Sequence, residues 1–178
     1  MHINRNALIV FSWIFFTVLF SAYAAGDLAG WGRVNIQGSI IDTACAIAVD
    51  NRDQSIDMGV IPVADIIRDG QGRSKPFSIN LVDCVLGRQD KTDWKQFKVT
   101  FDGDTQGGLF SVHGDASGVG LQISDELGNI ALPGRFLPFV DIAPGGVQLN
   151  YSLKLVANNN KLKPGSYFSS IRFKMDYF

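Results

Sequence analysis

The chain has 178 residues, 46% of them hydrophobic and 19% charged, with a formal net charge of −1 at pH 7. No run of like charge occurs, so nucleic acid and anionic membrane surfaces are poor candidates as partners on electrostatic grounds.

Residues 1–24 read as a secretory signal peptide. His2 and Arg5 form a basic head, Ala7 to Phe20 is almost wholly apolar, and Ala22, Tyr23 and Ala24 make an A-x-A cleavage site. The apolar run falls short of the roughly 18 residues that a membrane-spanning helix needs. Cleavage leaves residues 25–178, enough for one domain with a sizeable core. It removes Arg5 and no acid, so the formal charge becomes −2. Cys45 and Cys84 both fall in the exported part. In an oxidising compartment, two cysteines at this separation form one disulfide. Closing that loop contributes roughly 3–4 kcal/mol. His113, the one histidine left after cleavage, cannot complete a zinc site with two thiols.

The rest reads as short β-rich runs between Gly, Asp, Asn and Pro clusters. In 32–41 (GRVNIQGSII), Val34, Ile36 and Ile40 carry the apolar positions. The run 54–59 (QSIDMG) is short, and 63–69 (VADIIRD) is the one helical turn. Phe77, Ile79 and Leu81 alternate in 75–84, and Phe97, Val99 and Phe101 in 95–103. Leu121 and Ile123 mark a strand in 118–129 that runs into a Gly-Asn turn. Val147, Leu149, Tyr151, Leu153 and Leu155 alternate through 147–157, and the polar loop NNNKLKPG leads to 166–177. There Tyr167, Ser169, Ile171, Phe173, Met175 and Tyr177 share one face, opposite Phe168, Ser170, Arg172, Lys174 and Asp176. Period-two runs broken by frequent turn signals predict an all-β sandwich.

An immunoglobulin-like sandwich would follow 166–177 with one more strand, and the sequence holds no residues for it. Two outcomes stay open. The strand lies at an exposed sheet edge, an aggregation hazard with side chains this large, or its neighbour comes from another chain. The segment upstream of Cys45 is a candidate spare strand, with Gly26, Leu28, Gly30, Gly32, Val34 and Ile36 on its even positions. The alternative is a flexible leader to the first strand.

The ordered motifs resemble those of pilin subunits of the chaperone–usher fimbrial family. GRVNIQGSIIDTACAI is similar to the family's Gly-x-Val-x-Phe-x-Gly approach to the first cysteine, with Ile36 where Phe is frequent, and the second cysteine follows 39 residues later. SIDMG, PFSINLVDC, VTFDG and GVGLQISDELGN match in order. The end carries a glycine fourteenth from the terminus (Gly165), alternating apolar residues, and Tyr177 in the penultimate position. The resemblance implies an incomplete immunoglobulin-like β-sandwich lacking its last strand. A periplasmic fimbrial chaperone lends that strand first. At the outer-membrane usher, the N-terminal extension of a neighbouring pilin subunit replaces it. On this reading residues 25–36 are the extension, donating through Leu28, Gly30, Gly32, Val34 and Ile36, and residues 37–178 are the pilin domain. Gly165, Tyr167, Ile171, Phe173, Met175 and Tyr177 belong to the strand that walls the groove. Each buried apolar side chain contributes roughly 1.5–3 kcal/mol, so four anchors give about 6–12 kcal/mol gross. The implied function is structural: a subunit exported through the periplasm into a surface fimbrium that supports cell adhesion, without cofactor, metal or small-molecule substrate. The ending differs from the Ala-rich ends of many rod subunits. It is closer to minor subunits, including fibre-terminating ones whose groove is partly closed.

Other chemistry is sparse. Ser111, His113 and Asp115 share one loop, whereas a catalytic triad needs convergence in space, so His113 reads as a solvated loop residue. Asp102 and Asp104 bracket a glycine turn and offer too few oxygen ligands for calcium. Trp31 and Trp94 are the residues that would stack a sugar in a carbohydrate-binding adhesin. Trp94 also reads as edge packing, and adhesins of this family carry an additional lectin domain for which the exported chain has no room.

Overall fold

A computed structural model describes residues 32–38, 40, 42–89 and 91–178. The candidate leader, Trp31, Leu28 and Gly30 lie outside them. One compact unit spans Ile41–Phe178. Within it the elements in chain order are β1 (Ala46–Ile47), α1 (Val49–Arg52), α2 (Val63–Asp69), β2 (Lys75–Cys84) and β3 (Gln96–Asp102). Then come β4 (Thr105–Gln106), β5 (Leu109–Ser111), β6 (His113–Gly114), β7 (Val119–Asp125) and β8 (Ile130–Ala131). The last are β9 (Val140–Asp141), β10 (Gly145–Ala157), β11 (Tyr167–Phe168) and β12 (Arg172–Tyr177).

The strands form two main antiparallel sheets. The larger has the order β1-β2-β10-β7-β5-β4, with β8 beside β7, and the smaller the order β12-β3-β9. At the centre of the larger sheet, β10 sets Leu149 opposite Ile79 of β2 and Leu153 opposite Ile123 of β7. Leu149, Tyr151, Leu153 and Leu155 all point into the core, as period two requires. From the smaller sheet β3 contributes Phe97, Val99 and Phe101, each at most 2% exposed. The sheets meet where the Phe101 ring packs edge-on against Tyr151 at 5.1 Å and Phe77 at 6.3 Å. The Cys45–Cys84 disulfide ties the approach to β1 to the end of β2. Helix α2 stops at Gly70, whose φ of 71° is the left-handed cap a glycine adopts freely, with its N–H donating to the Ile66 carbonyl.

Three sequence expectations change. Residues 32–38 carry no regular structure, and Val34 and Ile36 are 85% and 90% exposed. Residues 54–59 join no ladder. The strand expected over 166–177 is broken: β11 pairs with β6, β12 pairs with β3, and residues 169–171 cross between them. The break has a local cause. The Ser169 hydroxyl donates to the Ser111 carbonyl at 2.7 Å. The Ser170 carbonyl comes so near Gly103 that a Cβ there would sit 3.1 Å from it. Alternation survives the crossing, with Tyr167, Ser169, Ile171, Phe173, Met175 and Tyr177 half-buried and their neighbours mostly exposed.

Candidate functional site

Among the described residues β12 is bonded along one edge only. The N–H of Phe178 donates to the Gln96 carbonyl at 2.8 Å, and the Gln96 N–H returns to the Phe178 carbonyl at 3.1 Å. In an antiparallel pair such bonded positions recur every second residue. Given the register Arg172↔Asp102 to Tyr177↔Phe97, Arg172, Lys174 and Asp176 bond to β3. The backbone groups of Phe173, Met175 and Tyr177 then face the opposite edge. The other side of β3 agrees with this phase, because Val99 and Phe101 accept from Leu137 and Gly134. Among the described residues no strand pairs with the free edge of β12.

Alongside the terminal segment, as far as Phe173, lies a trough built from two joined cavities of about 660 and 520 Å³. Gln54, Ile56, Leu153, Ser169 and Ile171 line both. One wall is the terminal segment, with Gly165, Tyr167, Ile171 and Phe173. The other is residues 54–61. Core side chains make the floor: Leu121 and Leu153 under the first cavity, Phe77, Phe101, Ile123 and Leu153 under the second. The far wall has the shape of a strand without a partner. Gln54, Ile56 and Met58 are half-buried while Ser55, Asp57 and Gly59 are exposed, yet residues 55–58 appear in no backbone ladder among the described residues. Side chains hold it in place: Gln54 donates to the Ser78 carbonyl at 2.9 Å, and Asp57 accepts from the Gly59 N–H at 2.8 Å.

Tyr177 sits past the end of the trough. Its hydroxyl donates to the Cys45 carbonyl at 3.4 Å, and burial raises its pKa, keeping it a donor. Trp94 packs edge-on against it at 5.9 Å. Met175 lies under that contact, 3.8 Å from the Tyr177 hydroxyl. The structure therefore brings Gly165, Tyr167, Ile171 and Phe173 together on the trough and places Met175 and Tyr177 beyond it. Of the candidate donor residues, Gly32, Val34 and Ile36 are exposed, and Leu28 and Gly30 lie outside the described residues.

Sequence reasoning missed the far wall and most of the floor. The alternation of Ile56 and Met58 was the available signal for the wall. The remaining candidates are drawn into packing. The Trp94 ring lies under the Arg88 guanidinium at 3.8 Å, which covers the surface a sugar would stack on. His113 pairs with Asp104 at 3.0 Å, while Asp115 accepts from Ser166 at 3.1 Å and the Ser111 carbonyl from Ser169. These contacts separate the three residues that a triad would have joined.

A family model described as fimbrial protein matches residues 34–177. The chain is 35% identical over 150 residues to the PRS fimbrial minor pilin protein of Escherichia coli, covering 82% of this chain and 77% of that one. Its fold matches the crystal structure of the P pilus rod subunit PapA with a TM-score of 0.66 at 17% identity, over 76% of this chain and all of the other. It also matches a chain from the structure of a chaperone–usher pilus with a TM-score of 0.67 at 21% identity, over 84% and 97% of the two chains.

Proposed function

The chain belongs to the fimbrial protein family and is a structural subunit of a pilus, an immunoglobulin-like sandwich; from that premise we propose that the trough beside β12 receives a strand from another protein. The carrying observation is geometric. The free edge of β12 offers the backbone groups of Phe173, on the trough, and of Met175 and Tyr177 past it, and Phe101, Ile123 and Leu153 form the trough's apolar floor. Strand addition satisfies the edge and covers the floor in one step. The partners are a periplasmic fimbrial chaperone, then an outer-membrane usher and neighbouring pilin subunits. Residues 25–36, through Leu28, Gly30, Gly32, Val34 and Ile36, are the strand this subunit donates. The subunit passes through the periplasm to a surface fimbrium, where its place is minor, as in its relative described as a minor pilin.

A second reading, a fibre-terminating subunit, draws on the Tyr177–Cys45 contact, which ties the chain end down past one end of the trough. One experiment addresses both. The chain is produced in the periplasm with and without a fimbrial chaperone, and the complex is then challenged with a synthetic donor-strand peptide. Strand acceptance requires soluble chain only with the chaperone. A stable solitary monomer with slowly exchanging β12 amides overturns it. Ready displacement of the chaperone by peptide excludes the terminator, and resistance to displacement supports it.

A further inference from the structure

β1 pairs with β2 for two residues, Ala46 opposite Val82 and Ile47 opposite Leu81. The Ala48 N–H then donates to the Asn80 carbonyl at 2.9 Å. In an antiparallel ladder those two residues would exchange a second bond, from the Asn80 N–H to the Ala48 carbonyl. Here the Ala48 carbonyl turns into α1 and accepts from the Asn51 N–H at 2.9 Å. Asn51 Oδ1 stands in for it, accepting from the Asn80 N–H at 2.6 Å. A continued ladder would next set residue 50 opposite Ser78 and residue 52 opposite Pro76. At Ser78 the carbonyl accepts instead from the Gln54 side-chain amide at 2.9 Å. At Pro76 there is no N–H to pair. The outer edge of β2 between Pro76 and Asn80 is thus met by one backbone N–H and two side chains, where a longer β1 would have run.

Building on the reading of the trough as a strand acceptor, we propose that Asn51 and Gln54 are positioning residues for strand addition. They end the β1–β2 ladder with side chains, and so leave the backbone of residues 55–58 for an incoming strand. Gln54 is the tether on the trough side. It lines both cavities, and its amide also reaches the Asn51 carbonyl at 3.5 Å, so one side chain joins α1, β2 and the start of the far wall. Directly after it, residues 55–58 alternate exposed and half-buried as a strand does, yet bond to no other backbone among the described residues. A β1 that ran on along β2 would commit the same stretch to the β2 edge. Tethering through side chains fixes where the far wall stands and uses none of its backbone groups.

The test uses the full chain with a donor strand appended after Phe178 through a flexible linker, read by native-state amide exchange. In this fusion both the Phe173 amide and at least one amide among residues 55–58 are expected to be protected. Asn51→Ala removes the acceptor for Asn80, Gln54→Met removes the donor to Ser78 at similar length, and Asn51→Asp keeps an acceptor oxygen. The protected far-wall amide is expected to exchange roughly fivefold faster in Asn51→Ala and Gln54→Met, with Lys174 and Asp176 unchanged. Asn51→Asp is expected to match wild type. Three results overturn the positioning role and leave strand acceptance intact. These are a protected Phe173 with residues 55–58 unprotected, far-wall rates that neither loss variant moves, and an Asn51→Asp variant as fast as Asn51→Ala. A loss spread evenly over Lys174, Asp176 and the core strands, up to failure to fold, marks a merely structural role and overturns it as well. A wild-type fusion in which neither Phe173 nor residues 55–58 are protected overturns strand acceptance itself, and the positioning role with it.

Discussion

Replacing Gly165 by alanine tests whether the entry to the terminal strand sets the trough wall. A Cβ at this position would lie 2.6 Å from the Asp115 Cβ and 2.8 Å from both the Ala116 nitrogen and the Asp115 carbonyl carbon. Two of those atoms are backbone, so no rotamer change relieves the contact, and the two segments must separate. Separation strains the bonds that seat β11, in which the Asp115 and Ala116 N–H groups donate to the Ser166 carbonyl at 2.9 and 3.1 Å. Two weakened hydrogen bonds account for about 1–3 kcal/mol, and overpacking adds a cost of similar size. A loss of about 3 kcal/mol is the central expectation, a fall in Tm of about 6–12 °C for a domain of this size. The assay is thermal and urea unfolding of the strand-completed form. Gly87→Ala serves as the control, since a Cβ there meets nothing within 4 Å; it should be neutral or slightly stabilising. Equal midpoints for Gly165→Ala and Gly87→Ala would refute the close-packing argument.

Amide exchange should resolve the phase of β12. Lys174 and Asp176 are protected by β3 in either state, whereas Phe173, Met175 and Tyr177 slow on strand addition by about a hundredfold or more; uniform slowing along the strand contradicts the register. Cys45→Ser with Cys84→Ser should lower stability by about 4 kcal/mol, the chain-entropy value for this loop, measured by urea unfolding; a change below about 1 kcal/mol speaks against it. Hydrogen bonds from Arg88 first and Lys91 second hold the Asp42 carboxyl below its usual value of 3.8. The folded state thus favours the ionised form, so the contribution is complete above the unfolded pKa and lost as pH falls through the lower folded one. Unfolding midpoints of wild type and Asp42→Asn should differ at neutral pH and converge as the pH is taken well below the usual carboxylate value; a gap that persists in acid excludes the ion pair as its source.

The sequence announces those elements whose two neighbours lie within the chain. The period of β10 is readable because Leu149 to Leu155 each meet a partner on β2 or β7, and the span expected for β2 matches the observed Lys75–Cys84. The helical turn at Val63–Asp69 shows for the same reason, an apolar anchor at Ile66 and a glycine stop at Gly70. By contrast β4, β5 and β6 have two or three residues each. Runs that short carry no period, and their pairing is set by glycine turns and by contact with the incoming terminal segment. The break at Ser169–Ile171 was equally hidden, because a strand that changes sheets keeps its alternation. Only the Ser169–Ser111 bond and the close approach at Gly103 betray the change.

The site divides along the same line. Its near wall was legible because Ile171 and Phe173 are apolar on a face that is only half-buried among the described residues, and large apolar residues on one face of a strand demand a cover. Its far wall was half legible. Ile56 and Met58 alternate as a strand would, but alternation reports which side faces the core and says nothing about edge partners. Residues 54–59 therefore read as an ordinary short strand, when in the fold they run extended with no ladder among the described residues. Residues 54–61 and the terminal segment from Gly165 to Phe173 face each other across the trough, each with a period-two apolar face on the same floor. A single extended strand of matching period laid between them would pair on both sides at once. On this account, the apolar excess of the terminal segment and the unpaired strand edge of residues 55–58 among the described residues are two halves of one binding requirement. Filling either half alone would leave the other edge as exposed as before.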